Sequence, residues 1–327
     1  MPDIALVSPI VSALVTLPFI VWMLRAQDRL PLDVPNQRSL HVRAVPRSGG
    51  MAMMAGIFIG FALMQTPLVI VLPAAVLVAF SHFDDASGLP ILLRFGVQLA
   101  ASAAFAYGAL PTLELPALAL ILIGMLWMTN LYNFMDGSDG LAGGMTVLGF
   151  SFLGAGAWMS GDVALLADCA IVAAAAAAFL LFNFPPARLF MGDAGSIPIG
   201  FLAAALSLAG WRDGDWPAWF PAVVFAPFIV DATLTLAKRL ISGERIWDAH
   251  NKHYYQRLVR LGWGHRKTAL AEYALMLGCG ATALWSLRAP LYVQLCALGG
   301  LVALHAILAL WVDTAWRRRQ KHTIEPA

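Results

Sequence analysis

Acidic and amide residues interrupt the apolar sequence at only a few points, and these are the residues whose types could do chemistry. The first such point is the adjacent pair Asp84 and Asp85, which follows an apolar run. Adjacent carboxylates repel one another, which raises a pKa unless a cation lies nearby. The pair therefore indicates either a site that binds a cation or a solvated helix end with no chemical role.

A second cluster runs from Asn130 to Gly140 and contains Asn133, Asp136 and Asp139. Its two asparagines are three residues apart and share one face if the segment is helical. Each aspartate is followed by glycine, a pair that favours a turn with exposed oxygens and backbone amides. Such turns suit Mg²⁺, or a phosphate together with its metal ion. A purely structural turn is the alternative.

The third cluster covers residues 183–196 and leads directly into an apolar run. Gly192 and Gly195 allow the backbone to approach a ligand closely. Ser196 is predicted near the N-terminus of the next helix, where free amides and the helix dipole favour phosphate. Asp193 has no neighbouring acidic residue in the sequence and is the best single candidate for a metal ligand.

The fourth cluster contains His250 and His253, which also share a face if their segment is helical. Zinc would require further soft ligands at close spacing, and this stretch of sequence has none. Groups that donate hydrogen bonds to a diphosphate are the better interpretation. Separately, Asp231 lies inside an apolar run, where acidic residues are costly and usually functional. A hydrogen bond between helices is the alternative for Asp231.

The composition indicates the environment of these clusters. Of the 327 residues, 60% are hydrophobic and 12% are charged, and the mean hydropathy is +0.74. A soluble domain carries roughly 25% charged residues, so the chain is predicted to be an integral membrane protein. The net charge of +2 is too small to indicate a nucleic-acid partner. The three cysteines are scattered through apolar runs, which favours small buried side chains over metal ligands.

Each membrane-spanning helix needs about 20 largely apolar residues, and this rule predicts an all-α polytopic bundle of eleven spans. No linker or charge run divides the chain, so residues 1–327 are predicted to form one domain. The predicted spans are residues 4–24, 49–65, 67–83, 93–110, 115–133, 141–160, 163–182, 195–211, 217–237, 268–287 and 290–312.

An odd number of spans places the two termini on opposite sides of the membrane. If residues 25–48 are cytoplasmic, only Arg212 and Arg288 of the 21 lysines and arginines fall on the other side. Because basic residues are retained in the cytoplasm, the N-terminus is predicted outside and the C-terminus inside. The four clusters, together with a fifth that comprises Pro35 to His41 with Arg43 and Arg47, then converge on the cytoplasmic face. This predicts a single active site in cytoplasmic loops rather than a transport site at mid-membrane.

From residue 33 to residue 268 the chain resembles the polyprenyl-phosphate N-acetylhexosamine-1-phosphate transferases, which are glycosyltransferase family 4. That family includes enzymes that initiate O-antigen, enterobacterial common antigen and teichoic acids, and the enzyme that makes lipid I. The spacing of His250 and His253 resembles the O-antigen type more than the lipid I enzyme, which tends to have adjacent histidines there. The matching stretches are Pro35 to His41, Pro46 to Gly50, Phe83 to Asp85, Asn133 to Ala142, Phe190 to Ser196 and His250 to His253.

The resemblance implies transfer of a phospho-N-acetylhexosamine from a UDP-sugar to undecaprenyl phosphate in a bacterial inner membrane, with release of UMP. It implies Mg²⁺ as cofactor, with Mn²⁺ as an alternative ion, and Asp193 matches the family's magnesium-binding aspartate. Asp84 and Asp85 match the pair assigned to the lipid phosphate. The remaining candidates are Asn133, Asp136 and Asp139 for a nucleotide and metal pocket, His250 and His253 for the nucleotide sugar, and Arg47, Asn183, Arg188 and Ser196 for substrate binding.

Two other classes of protein are alternatives to a transferase. A transporter of nucleotide sugars or lipid-linked intermediates would have charges at mid-membrane, where the sequence has Asp231, and an inverted repeat, which is not evident. A structural membrane scaffold would not explain three aspartate-glycine loops on one face. The expected partners are the UDP-sugar, undecaprenyl phosphate and membrane lipids, and a homodimer is left open.

Overall fold

The computed structural model of the protein describes residues 2–26, 32–33, 40, 44–245, 248 and 250–324. Within these ranges the chain is almost entirely helical, which confirms the predicted all-α class. The exception is one antiparallel pair, β1 (Leu32–Asp33) with β2 (Val45–Pro46), in which Leu32 lies opposite Pro46. The helices are α1 (Pro2–Arg25), α2 (Gly49–Met64), α3 (Leu68–Ser87), α4 (Ile91–Ala109), α5 (Leu115–Met135), α6 (Leu141–Ser160), α7 (Val163–Asn183), α8 (Asp193–Asp213), α9 (Trp219–Val224), α10 (Ala226–Ile241), α11 (Tyr254–Leu258), α12 (Gly264–Ser286) and α13 (Leu291–Ile324), with a π-helical turn (Val259–Trp263) after α11.

All eleven predicted spans coincide with helices in the described part of the chain. Eight of these helices are long and apolar enough to cross a bilayer on their own. The other three predicted spans correspond to the shorter α2, to α9 and α10 together, and to the less apolar α12. The span predicted at 217–237 is interrupted at Phe225, and Pro227 lies in the first turn of α10, where its missing amide does not disrupt the helix.

Helix α8 lies at the centre of the bundle and packs against α3 and α5. It is the most buried of the eight long helices, while α13 is the most exposed. The close approach of α8 to α5 depends on Gly200, because a Cβ atom there would lie 2.7 Å from the carbonyl oxygen of Met128. This packing determines where the first turn of α8, which carries Asp193, meets the end of α5.

A second close approach brings the start of α2 onto the start of α8. A Cβ atom on Gly50 would lie 2.3 Å from Cα of Gly195. The loop before α8 is also tied to this region, since the amide of Gly50 donates to the carbonyl of Met191 at 2.9 Å and the amide of Phe190 donates to Pro46 at 2.8 Å. The ends of α2, α3, α5 and α8 that carry polar residues therefore meet at one end of the bundle.

Candidate active site

The site is centred on the first turn of α8. Asn133, near the end of α5, donates from Nδ2 to Oδ1 of Asp193 at 2.8 Å and to Oγ of Ser196 at 3.0 Å. Ser196 is fully buried, and both its hydroxyl and its backbone amide donate to the carbonyl of Gly192. Asn133 therefore holds the Asp193 carboxylate in place, and Ser196 in turn holds Asn133. The direct contact of both residues with substrate stays a prediction.

Asp85 lies beside Asp193 and places a second carboxylate at the same helix terminus. The backbone amide of Ala194 donates to Asp85, and the charge of Asp193 is close enough to act on it. Arg47 extends across from the loop before α2, with Nη2 at 2.9 Å from the Asp85 carbonyl oxygen and 3.3 Å from its Oδ1. Two carboxylates next to a single arginine leave an excess of negative charge that attracts a cation.

Asp84 points in a different direction from Asp85, although the sequence suggested a pair acting together. Its Oδ2 is 2.7 Å from Nε of Arg94, and its Oδ1 accepts from the backbone amide of Leu89 at 2.7 Å. Neighbouring residues on a helix point about 100° apart, which separates the two carboxylates. Asp84 joins the end of α3 to the start of α4, while Asp85 faces α8.

Asp139 and Asn183 join the two loops that surround the site. Asn183 is buried, accepts from the amide of Gly140 at 3.0 Å and donates to the carbonyl of Leu189 at 2.9 Å. Asp139 accepts from the amide of Ala187 at 2.9 Å. These contacts favour a role in fixing the loops, and the direct roles in catalysis and substrate binding stay predictions.

His265 is a site-supporting residue that the sequence analysis did not identify. Its Nδ1 accepts from the amide of Asp139 at 3.2 Å and lies 2.9 Å from Oγ of Ser138. Because that amide can only donate, the ring proton is on Nε2, which donates to the carbonyl of Leu40 at 3.1 Å. The only feature of the sequence that could have identified His265 is its position in a basic stretch next to the span predicted at 268–287.

The histidine segment lies against the end of α5. The ring of His253 stacks on Phe134, with centroids 6.1 Å apart, and Tyr255 donates from its hydroxyl to the carbonyl of Phe134 at 3.0 Å. His250 lies next to His253, with ring centroids 4.8 Å apart. Asp136 is close enough to Tyr255 for its charge to act on that side chain. The two histidines are thus brought to the same end of α5 that carries Asn133.

Two other parts of the predicted site are Arg188 and the segment from Pro35 to His41. Arg188 is exposed on the loop before α8, with its guanidinium 5.7 Å from the centre of the Phe182 ring. The predicted segment from Pro35 to His41, together with Arg43, lies outside the described residues except for Leu40. Among the described residues, no group of three or more histidine, cysteine, aspartate and glutamate side chains lies close enough together to hold a metal ion without other ligands.

Burial affects the charge state of His250 in the loop between α10 and α11. Desolvation, followed by the charges of His253, Arg239 and Lys252, lowers its pKa to about 4, against the opposing charge of Glu244. His250 is therefore neutral at pH 7.

Acidification should therefore destabilise the folded protein through His250. The unfolded chain takes up this proton below the ordinary pKa of about 6.5, whereas the folded protein resists it down to about pH 4. Between those values, protonation favours unfolding. We expect the melting temperature in detergent to fall more between pH 7 and pH 5 for the wild type than for His250→Gln. An equal fall in both proteins would contradict this assignment.

Comparison with known proteins gives the family. Residues 67–211 match the model for glycosyl transferase family 4, a range that runs from α3 to α8 and includes Asp85, Asn133 and Asp193. The chain is 29% identical over 264 residues to a probable undecaprenyl-phosphate N-acetylglucosaminyl 1-phosphate transferase of Bacillus subtilis, covering 75% of this chain and 74% of that protein.

Two further relatives act on related substrates according to their names. A decaprenyl-phosphate N-acetylglucosaminephosphotransferase of Mycobacterium tuberculosis is 29% identical over 289 residues, covering 73% of this chain and 71% of that protein. A phospho-N-acetylmuramoyl-pentapeptide-transferase of Staphylococcus aureus is 31% identical over 157 residues, which is 48% of each chain. With the apolar helix bundle, these matches show a bacterial integral membrane protein whose residues 67–211 match glycosyl transferase family 4 and whose relatives are polyprenyl-phosphate N-acetylhexosamine-1-phosphate transferases.

Proposed function

We propose that the protein transfers a phospho-N-acetylhexosamine from a UDP-sugar to undecaprenyl phosphate, releases UMP and so initiates a cell-surface polysaccharide. The relatives in Bacillus subtilis and Mycobacterium tuberculosis are named as polyprenyl-phosphate N-acetylglucosamine phosphotransferases, which supports this donor and acceptor class. The observation that carries the proposal is the pair of carboxylates, Asp85 and Asp193, at the start of α8 with Asn133 bonded to Asp193.

This set of oxygen donors fits a magnesium ion. Mg²⁺ is usually bound by one or two carboxylates, with its other ligands from water and substrate phosphates. Asp193 and Asp85 are two carboxylates close enough for their charges to interact. Asp136, the second metal ligand predicted from the sequence, lies near Tyr255, and its metal role stays a prediction. When bound, the ion would neutralise part of the charge on the two reacting phosphates.

The reaction joins two anions, so the task of the chain is to hold them in line. An oxygen of the lipid phosphate forms a bond to the β-phosphorus of the UDP-sugar while the bond to the bridging oxygen breaks, and UMP leaves. Arg47 and Arg188 are exposed enough to reach phosphate oxygens, at 36% for the Arg47 side chain. The ring of His253 stacks on Phe134, the residue that follows Asn133 at the end of α5.

An apolar groove between α5, α8 and α10 suits the hydrocarbon tail of the acceptor. The groove has a volume of about 280 Å³ and includes Met125, Met128, Ala203 and Ile229 among its lining residues. Met128 lies five residues before Asn133 on α5, which corresponds to about 7.5 Å along the helix. A prenyl chain in this groove would keep its phosphate near the first turn of α8.

The orientation of the site follows from the distribution of basic residues. The polar ends of α3, α5 and α8 meet at one end of the bundle, and the lysine and arginine asymmetry assigns that end to the cytoplasm. A cytoplasmic site supports the proposal, because a soluble UDP-sugar and a membrane-held lipid phosphate could meet there. The N-terminus is then outside and the C-terminus inside the bacterial inner membrane.

The direct test is phosphosugar transfer by purified protein in detergent. The assay would contain undecaprenyl phosphate, Mg²⁺ and a panel of UDP-N-acetylhexosamines, and it would measure UMP release and the lipid-linked product. We expect product with one sugar of the panel, complete loss with EDTA and recovery when Mg²⁺ is restored. Asp213→Asn is the matched control, because Asp213 is exposed at the far end of α8.

Two results would contradict the proposal in different ways. If folded protein released no UMP with any sugar, transport of a nucleotide sugar or lipid-linked intermediate would become the better interpretation. If turnover persisted in EDTA, the magnesium site at Asp85 and Asp193 would be wrong, although the transfer reaction would stand.

A further inference from the structure

Asp231 is bonded to the segment that carries His253. Its Oδ1 accepts from the amide of Tyr254 at 3.0 Å, and its Oδ2 accepts from the amide of Tyr255 at 2.9 Å. The ring of His253 is also bonded to Oδ1, with Nδ1 at 3.0 Å, and Thr235 donates to the same oxygen from one turn away at 3.2 Å. Asp231 is 6% exposed. This carboxylate in α10 therefore forms its hydrogen bonds with the start of α11.

The contacts of His253 fix the orientation of its ring. Nδ1 lies 3.0 Å from Oδ1 of Asp231, and the side chain also accepts a hydrogen bond from the backbone amide of Gln256 in a capping box. The His253 residue is buried, at 2% exposed. A buried carboxylate that fixes the orientation of an imidazole is a recurring way to prepare a histidine for catalysis.

A second carboxylate holds the other end of α11. Oδ1 of Asp313 in α13 lies 2.8 Å from Nη1 of Arg257, and the same carboxylate forms an ion pair with Lys238 of α10. The helix is therefore fixed at its start by α10 and at its end by α13. Because the Tyr255 hydroxyl also bonds the Phe134 carbonyl, α11 is held in register with the end of α5.

We propose that Asp231 is a positioning residue of the transfer reaction, which acts on the nucleotide sugar through His253 and not by contact with substrate. The inference rests on the proposed function, because it assigns a use to the histidine segment. It also explains why the chain keeps an acidic residue inside a predicted span, where an unpaired carboxylate would be strongly destabilising.

A double-mutant cycle tests this role against a purely structural one. The proteins are wild type, Asp231→Asn, His253→Ala and the double variant, each assayed for turnover and for the KM of UDP-sugar and lipid. We expect Asp231→Asn to lower turnover by about 10- to 100-fold with the KM for lipid unchanged. In the double variant, we expect no loss beyond that of His253→Ala alone, because Asp231 acts through that ring.

The outcomes separate the inference from the proposed function. Losses that multiply in the double variant, or wild-type turnover in Asp231→Asn, would overturn the inference while the transfer reaction stands. If the wild type binds a UDP-sugar but does not turn it over, the four proteins of the cycle are compared by their dissociation constants for that UDP-sugar. A wild-type protein that neither binds nor turns over a UDP-sugar would end both proposals.

Further variants keep the test valid if Asp231→Asn does not fold. Thr235→Val removes one donor to Asp231 and leaves the carboxylate, so we expect a smaller loss of turnover that disappears in the His253→Ala background. An undiminished loss in that background would contradict the inference. Asp213→Asn makes the same chemical change at the far end of α8 and should retain the wild-type rate and melting temperature.

Discussion

Asp193→Asn is expected to lower turnover by about a thousandfold, because it removes the carboxylate on which the proposed metal site depends. Charge stabilisation by a bound metal contributes several kcal/mol to a transition state, and each 1.36 kcal/mol is about tenfold in rate. Asparagine has the same shape and keeps an oxygen that can accept from Asn133 Nδ2, which lies 2.8 Å away. The fold should therefore persist while the charge is lost.

The measurement is UMP release as a function of Mg²⁺ concentration, with the melting temperature recorded in parallel. Asp213→Asn removes a carboxylate of similar type from the opposite end of the same helix and should have no effect on turnover. A variant at Asp193 that keeps more than about a tenth of the wild-type rate at saturating Mg²⁺ would show that this carboxylate is not the principal metal ligand.

The helices could be predicted from the sequence because apolar runs of span length have few alternative structures in a bilayer. Hydropathy did not predict where the helices end. Helix α3 continues to Ser87 and α13 to Ile324, since backbone hydrogen bonds extend a helix beyond its apolar part. The interruption at Phe225 was also missed, because its flanking residues are apolar on both sides.

The composition of the site could be predicted in part, since the topology brings the ends of α3, α5 and α8 together. The sequence could not show which way each carboxylate points. Asp84 and Asp85 differ by one residue, yet one contacts Arg94 and the other faces α8. The contact of Asp231 with α11 depends on tertiary packing between segments about 20 residues apart, for which periodicity carries no signal.

Asp84→Asn is expected to lower turnover by positioning rather than by loss of a base. A phosphate monoester has a second pKa near 6, so at pH 7 the lipid phosphate is mostly a dianion already. Because the dianion already exceeds the monoanion by about ten to one, removing the remaining proton can raise the amount of dianion by only about 10%. Both oxygens of Asp84 are also engaged, with Arg94 and with the amide of Leu89.

The expected loss for Asp84→Asn is about 10- to 100-fold, the size associated with groups that orient other groups in a site. Loss of the carboxylate leaves Arg94 without its ion-pair partner and loosens the turn that ends α3, which carries Asp85. Turnover measured from pH 6.5 to pH 8.5 should show the same relative loss throughout. Recovery of the rate at pH 8.5 would mean that Asp84 acts as a general base.

The double variant Asp84→Asn with Arg94→Gln separates charge from geometry at the same position. Replacing both partners leaves no unpaired charge and retains side chains that can bond each other. If the loss in Asp84→Asn comes from the unpaired Arg94 and the loosened turn, the double variant should recover both melting temperature and part of the turnover. A double variant that recovers stability but no turnover would assign a direct role to the Asp84 carboxylate, and Asp85 would then share the reaction with its neighbour.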